Sequence, residues 1–280
     1  MDISPEKQNI DLVFANTVYY IDFYQRDYKW TDVPVQRLLD DIYYQFGENY
    51  QKHIDVDPSK ETVTAHYPWY YLNTYVTNVI QGKVYVVDGQ QRLTTLTLIL
   101  IKLRLLAKQY ESKTSHWLEQ KIAGYSGMER EFWMNHVRYI DVMDDLFEGK
   151  KEHKSIDTSA GITAVNLVGN YQLIEQWLDK KLDSKHKLET FIFYFLTRLV
   201  LINLAVEQTE VPMVFEVIND RGVRLNPYEI LKGKLLGQID KIELEQGDYN
   251  KIWDVQTNKV NASNFFMPIK RTILLKYSAS

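Results

Sequence analysis

Residues 84–96 read VYVVDGQQRLTTL, and this stretch decides how the chain is expected to fold. Its first four residues are β-branched or aromatic, which is typical of a strand. The apolar run from Leu93 continues for about 17 residues, which is too long for a strand and predicts a helix. The residues between them, DGQQR, suit a polar pocket better than a core. Because the first N–H groups of a helix lack partners and lie at its positive dipole end, they favour an anion. The sequence therefore predicts a nucleotide or phosphate site between a strand and a helix.

The sequence on either side of this stretch predicts an α+β fold. Residues 70–80 and 83–87 are interpreted as two strands that Gln81-Gly82 joins as a hairpin. Further strands are predicted at 18–23 and 199–206, a polar loop at 48–66, and helices at 32–46, 93–109, 165–182, 188–196, 211–218 and from 227 onward. Together these elements predict a small mixed sheet packed by helices, with a mostly helical C-terminal half.

Three segments follow from these patterns. Residues 1–110 are predicted to form a nucleotide-binding core that contains the DGQQR stretch. Residues 111–164 are weakly patterned and are interpreted as an insertion of short helices and loops. Residues 165–280 are predicted to be a helical part that completes the core.

The composition excludes several classes of site. The 280 residues include no cysteine, which excludes disulfides and thiolate zinc sites and is typical of a reducing cytoplasm. The net charge of −4 argues against DNA wrapping over the whole surface, because phosphate contacts need positive charge, but it is compatible with a confined basic groove. The N-terminus lacks a signal-peptide pattern, and Lys102 and Arg104 interrupt the longest apolar run, so a buried helix rather than a membrane span is expected.

The residue types of the DGQQR stretch suit a phosphoryl group. Arg92 offers a planar fork of donors that matches phosphate, and Asp88 can hold a divalent metal or the attacking water. Gln90 and Gln91 offer both donors and acceptors to the nucleotide or to that water. The alternative is a structural turn in which Asp88 caps the helix and Arg92 forms a surface ion pair. No glycine-rich Walker loop occurs in the sequence, so this is not a P-loop enzyme.

A second candidate wall of the pocket is FYQRDYKW, residues 23–30. In this segment Gln25 and Arg26 can bind a phosphate, and three aromatic side chains can stack on a base, namely Tyr24, Tyr28 and Trp30. The alternative for Tyr28 and Trp30 is packing, because residues two apart share one face of an extended segment.

A third candidate is FEVINDRGVRL, residues 215–225. Asn219 and Arg221 can close the pocket from its far side. The alternative is a helix C-terminus with Gly222 in the left-handed position, and both interpretations can hold together.

These three segments, in this order and spacing, resemble the N-terminal domain of GmrSD-type restriction endonucleases from about residue 10 to 236. The resemblance implies a ParB/sulfiredoxin-like fold and a nucleotide-binding, NTP-hydrolysing domain of bacterial defence against phage, often against modified DNA. Together with the residue chemistry above, this gives the leading hypothesis of a site for a nucleoside triphosphate with Mg²⁺ as cofactors. In it Asp88 holds the metal or the attacking water, and the catalytic set is Asp88, Gln90, Gln91 and Arg92. Nucleotide contacts are expected from the second and third segments and from two neighbours in the first, namely Gln25, Arg26, Asn219, Arg221, Gly89 and Thr94.

The chain departs from this family where many members carry an HNH nuclease. Its six histidines are scattered at 53, 66, 116, 136, 153 and 186. Glu119-Gln120-Lys121 and Glu148-Gly149-Lys150 match only the end of a PD-(D/E)xK motif. DNA, modified or not, and a separate nuclease domain or subunit are therefore the expected partners, with no membrane partner and the oligomeric state open. The alternatives are a non-enzymatic DNA-binding or adaptor module of the same fold, and a nuclease with an unrecognised site.

Overall fold

The computed structural model describes residues 5–21, 27–150, 156–159, 161–211 and 214. All of these except residues 209–211 and 214 belong to one compact unit. The helix predicted from 227 and most of the helix predicted at 211–218 lie outside the described residues.

The described residues form both helices and strands. The strands are β1 Pro5–Asn9, β2 Tyr19–Ile21, β3 Tyr70–Ile80, β4 Lys83–Asp88, β5 Ala123–Ser126, β6 Glu129–Phe132, β7 Met134–Asn135 and β8 Leu199–Val206. The helices are α1 Ile10–Val13, α2 Asp32–Tyr50, α3 Lys60–His66, α4 Gln90–Gln109, α5 Thr114–Gln120, α6 Ile140–Phe147, α7 Ile162–Lys181 and α8 Lys185–Arg198.

Six of the described strands form one mixed sheet in the order β1-β8-β3-β4-β2-β7. The pairs β1/β8 and β3/β4 are antiparallel, whereas β3/β8, β2/β4 and β2/β7 are parallel. A mixed sheet with helices around it confirms the predicted α+β class. The strands β5 and β6 pair separately as an antiparallel hairpin.

The hairpin that delivers the DGQQR stretch is confirmed. Gln81 and Gly82 form its turn with φ values of 49° and 79°, both in the left-handed region that a two-residue type I′ turn needs. The β3/β4 register shifts between Val76 and Thr77, and Asp88 at the end of β4 lies opposite Val76. Bulges of this kind raise the local twist and re-aim the strand end, here at the start of α4.

Helix α4 lies at the centre of the unit. It is buried almost all round, and it packs on α5, α7 and α8. Because the helix is buried on every face, its apolar residues are not confined to a single stripe. Its two buried charges are paired: Lys102 Nζ lies 2.8 Å from Asp179, and Arg104 Nε lies 3.1 Å from Glu119. No helix among the described residues has the length and apolar character needed to cross a bilayer.

The structure corrects several element boundaries. Helix α4 begins at Gln90, not Leu93, so the QQR residues form its first turn. Helix α2 continues past Gly47 to Tyr50, because the Tyr50 ring stacks on Phe46 with centroids 5.2 Å apart. Helix α3 lies in the predicted polar loop, where the Ser59 hydroxyl caps it by accepting from Thr62 N at 3.0 Å.

The segment 111–164 contains one strand of the central sheet. Strand β7 pairs with β2 through the register Tyr19↔Met134. The side chains of Leu118, Phe132 and Leu146 from the same segment are buried in the core cluster. Part of the segment interpreted as an insertion therefore builds the main body.

Candidate functional site

Gly89 makes the turn between strand β4 and helix α4. Its φ is 96°, which side chains disfavour, and a Cβ at this position would lie 2.7 Å from the Tyr75 Cβ. The first backbone bond of the helix follows at once, from Leu93 N to Gly89 O at 3.0 Å. The turn therefore places Asp88 next to the first turn of α4, as the sequence predicts.

Arg92 is the half-buried cation of this turn. Burial lowers the pKa of its guanidinium, while Asp88 and Tyr71 act in the opposite direction. Its Cζ lies 5.9 Å from the centre of the Trp30 ring. Within the described part of the chain it forms no hydrogen bond or ion pair, so its fork of donors is open to an external acceptor. The surface ion pair considered as an alternative is not present among these residues.

The adjacent glutamines differ in their contacts. Gln91 is buried, and its Oε1 accepts from Lys29 N at 2.7 Å and from Trp30 N at 3.0 Å. Its Nε2 donates to Asp27 O at 3.0 Å. Gln90 is 8% exposed, and its side chain forms no hydrogen bond within residues 5–211 as far as they are described. A catalytic role for either glutamine stays a prediction.

Tyr28 is one of the aromatic residues for which stacking on a base is predicted. Its ring is fully buried, and its hydroxyl bonds with Thr95 Oγ1 at 2.8 Å and with Asn170 Nδ2 at 3.0 Å. Burial raises the pKa of Tyr28 to about 12. The ring is packed here as the alternative interpretation describes, and a stacking role for Tyr28 stays a prediction. Trp30 is only partly buried, and its stacking role stays a prediction.

The nucleotide contact predicted for Thr94 also stays a prediction. Its side chain is fully buried, and its hydroxyl lies 3.0 Å from His136 Nε2. Burial lowers the pKa of His136 to about 4, so this imidazole is neutral near pH 7. Thr94 and His136 form a buried polar pair on the core side of the β4–α4 turn. Gly89 has no side chain, so a nucleotide contact at this residue would involve its backbone.

Three polar residues of α7 that the sequence pattern did not single out contact the segment 27–30. Thr163 Oγ1 accepts from Tyr28 N at 3.1 Å, Asn166 Nδ2 donates to Tyr28 O at 2.7 Å, and Asn170 Nδ2 donates to Trp30 O at 2.6 Å. Their spacing of three and four places them on one helix face. This polar stripe in a largely apolar helix is the sequence signal by which the three residues could have been found.

The remaining predicted site residues lie outside the described residues. They are Tyr24, Gln25, Arg26, Asn219 and Arg221. Among the described residues, no group of three or more histidine, aspartate or glutamate side chains is placed to hold a metal ion. Asp88 would therefore contribute a single carboxylate to a metal rather than belong to such a group.

The two partial nuclease motifs are engaged in ion pairs. Glu119 binds Arg104 at 3.1 Å and lies 3.9 Å from Lys108, whereas Lys121 binds Asp11 at 2.7 Å. Glu148 pairs with Arg130, and Lys150 lies 3.0 Å from Asp145. The glutamate and lysine of each motif therefore face different partners, which agrees with a structural role.

Comparison with known protein families identifies a family for this chain. Residues 7–236 match the family described as GmrSD restriction endonuclease, N-terminal domain. No curated protein sequence matches the chain. The match spans most of the chain and includes the whole strand–turn–helix site. The chain therefore belongs to the GmrSD restriction endonuclease N-terminal domain family, a component of restriction and phage-defence systems.

Proposed function

We propose that the turn between β4 and α4 binds the phosphates of a nucleoside triphosphate and promotes its hydrolysis as a regulatory step in a restriction system. The observation that most supports this proposal is the environment of the Arg92 side chain. Its guanidinium is half buried at the start of a 20-residue helix, near Asp88, and no described residue accepts its hydrogen bonds. A cation is held in such a place at a desolvation cost, which a bound anion offsets.

The backbone adds to this attraction. Gly89 has no side chain to cap α4, so the first N–H groups of the helix are available to an anion. The helix dipole contributes about 0.3–1 kcal/mol to the binding of a negative group at this end. Arg92 and the helix start together suit the γ-phosphate or β-phosphate of a nucleotide.

Hydrolysis needs little more than placement of the groups and neutralisation of charge. Asp88 would orient a water whose oxygen attacks the γ-phosphorus. The bond to the β–γ bridging oxygen breaks, the diphosphate leaves with the electron pair, and the water proton passes to a phosphate oxygen. Arg92 would stabilise the charge that develops on the transferred group. A Mg²⁺ ion held by the phosphates would take one protein ligand from Asp88 and supply further neutralisation.

DNA is the proposed target of the system, and its cleavage is assigned to another domain or subunit. The family match supports a role in restriction, and the paired glutamates and lysines of the partial motifs support the absence of a cutting site there. In this arrangement nucleotide turnover would control when the partner nuclease acts.

The proposal is tested by nucleotide binding and turnover. Calorimetry and phosphate release with the purified chain, Mg²⁺ and each of the four ribonucleoside triphosphates should show binding and hydrolysis of at least one. Arg92→Ala should weaken binding about 10- to 100-fold, because a charge-assisted contact is lost. Arg37→Ala on the exposed side of α2 is the matched control and should bind normally. A folded wild-type chain that binds none of the four would refute the proposal, and binding without turnover would leave a nucleotide-sensing adaptor.

A further inference from the structure

The two glutamines of the DGQQR stretch are neighbours in sequence but meet different surroundings. The Gln91 amide contacts three backbone groups of one segment, residues 27–30, at 2.7–3.0 Å. These bonds use Oε1 twice and one hydrogen of Nε2, so little of the amide is left for a ligand. Gln90 is also buried, yet its amide has no hydrogen-bond partner among the described residues.

The same segment is bound by helix α7. Asn170 donates to Trp30 O at 2.6 Å, while Gln91 accepts from Trp30 N at 3.0 Å. Thr163 and Asn166 bind the N–H and the carbonyl of Tyr28. The segment belongs to no helix or strand, so side chains of α4 and α7 provide the bonds that secondary structure would otherwise supply.

The position of the Trp30 ring depends on these bonds. Both backbone polar groups of Trp30 are held, one by Gln91 and the other by Asn170. The ring lies 5.9 Å from the Arg92 guanidinium, a distance at which an aromatic face attracts a cation. A shift of the segment would therefore move the ring that flanks Arg92.

We propose that Gln91 is a positioning residue that fixes Trp30, and through it Arg92, whereas Gln90 is the glutamine that contacts the ligand. The ligand half of this division rests on the proposed nucleotide function. The positioning half does not, because it concerns the conformation of residues 27–30 in the free protein. The Gln90 amide atoms are not among the buried side-chain atoms that lack a partner, so the amide keeps solvent access and a ligand can hydrogen-bond to it.

The test compares Gln91→Met with Gln90→Met, two variants of the same size change. Hydrogen–deuterium exchange of the peptide that covers residues 27–33 should speed up about tenfold in Gln91→Met, since Lys29 N and Trp30 N lose their acceptor. Exchange there should be unchanged in Gln90→Met. Gln91→Glu keeps an acceptor for Lys29 N and Trp30 N but loses the donor to Asp27 O, so it should restore part of the protection. Unchanged exchange in Gln91→Met overturns the positioning role.

Nucleotide affinity separates positioning from direct contact. Both methionine variants should bind the triphosphate more weakly than wild type. In an Arg92→Ala background, however, Gln91→Met should cause no further loss, whereas Gln90→Met should still weaken binding about tenfold. A purely structural role of Gln91 would instead give additive losses, which would overturn the proposed route through Arg92. Normal affinity in Gln90→Met overturns the ligand half.

A folding failure of Gln91→Met and a failure of the proposed function can each be told apart from a failure of the positioning role. If Gln91→Met fails to fold by circular dichroism, Asn170→Leu tests the same segment from α7 and should also speed its exchange. If the wild type binds no nucleotide, the proposed function fails, while the exchange comparison still decides whether Gln91 positions residues 27–30.

Discussion

Arg92 in the first turn of α4 and Arg104 in its middle differ in the partners that surround their charge. In the middle, Arg104 is 3% exposed and has three partners: Glu119, the Phe147 carbonyl at 2.9 Å, and the Phe147 ring 3.7 Å away. At the start, Arg92 is less buried but has no hydrogen-bond acceptor among the described residues. A charge that serves the fold is supplied with partners by the fold, because an unpaired buried charge is costly. A charge kept without them is the feature on which the proposed ligand site depends.

The largest expected effect tests this contrast directly. Arg104→Met should lower the free energy of unfolding by about 4 kcal/mol, because Glu119 and the Phe147 carbonyl lose a buried partner. Arg92→Met should change it by less than about 0.5 kcal/mol, since no internal bond is broken. Urea denaturation of both variants provides the measurement. A similar loss in the two would mean that Arg92 also serves the fold.

Gly89→Ala should be nearly as destabilising, by about 3 kcal/mol, because a strained φ and a clash add together. The added methyl would meet Tyr75 Cβ at 2.7 Å. Gly82→Ala is the matched control: its φ is 79°, but no atom lies within 4 Å of the added Cβ. It should cost only about 1 kcal/mol, which isolates the contribution of the contact. Thermal or urea unfolding of both variants would show whether the turn depends on this close approach.

The pair of Thr94 and His136, on the core side of the same turn, should make stability depend on pH. The folded pKa of His136 is about 4, below its unfolded value near 6.5, so protons bind preferentially to the unfolded chain. The stability associated with neutral His136 is therefore full above pH 6.5 and is lost as the pH falls toward 4. Between pH 7 and 5 the wild type should lose about 2 kcal/mol more than His136→Gln. Equal losses in urea titrations at the two pH values would contradict this assignment.

The smallest effect concerns Tyr28. Tyr28→Phe should lower stability by about 1 kcal/mol, because one hydroxyl is lost while Thr95 and Asn170 keep other partners. Thr95 still donates to Gln91 O at 2.8 Å, and Asn170 to Trp30 O. Tyr44→Phe removes an exposed hydroxyl and should be neutral. A loss of nucleotide affinity in Tyr28→Phe without a loss of stability would support a ligand role for Tyr28.

Local sequence was sufficient where one short pattern has one geometric solution. The hairpin at Gln81-Gly82 and strand β8 agree with the bounds predicted for them. Prediction was less successful where distant packing decides. Gly47 ends many helices, but the Tyr50 ring stacks on Phe46 and keeps α2 helical. Residues 134–135 carry no strand pattern, and β7 exists because β2 offers an open edge.

The amino-acid sequence by itself determined that a strand, a glycine turn and a helix N-terminus bring Asp88 and Arg92 together, because that geometry is local. It also allowed the family to be identified, through three polar segments in order. Only the tertiary structure decided which of these side chains have hydrogen-bond partners within the protein. Gln91 is bound to residues 27–30 and Tyr28 is buried under α7, whereas Gln90 and Arg92 have no hydrogen-bond partner within the described chain. Those differences arise from contacts between residues more than 60 positions apart, which no local pattern encodes.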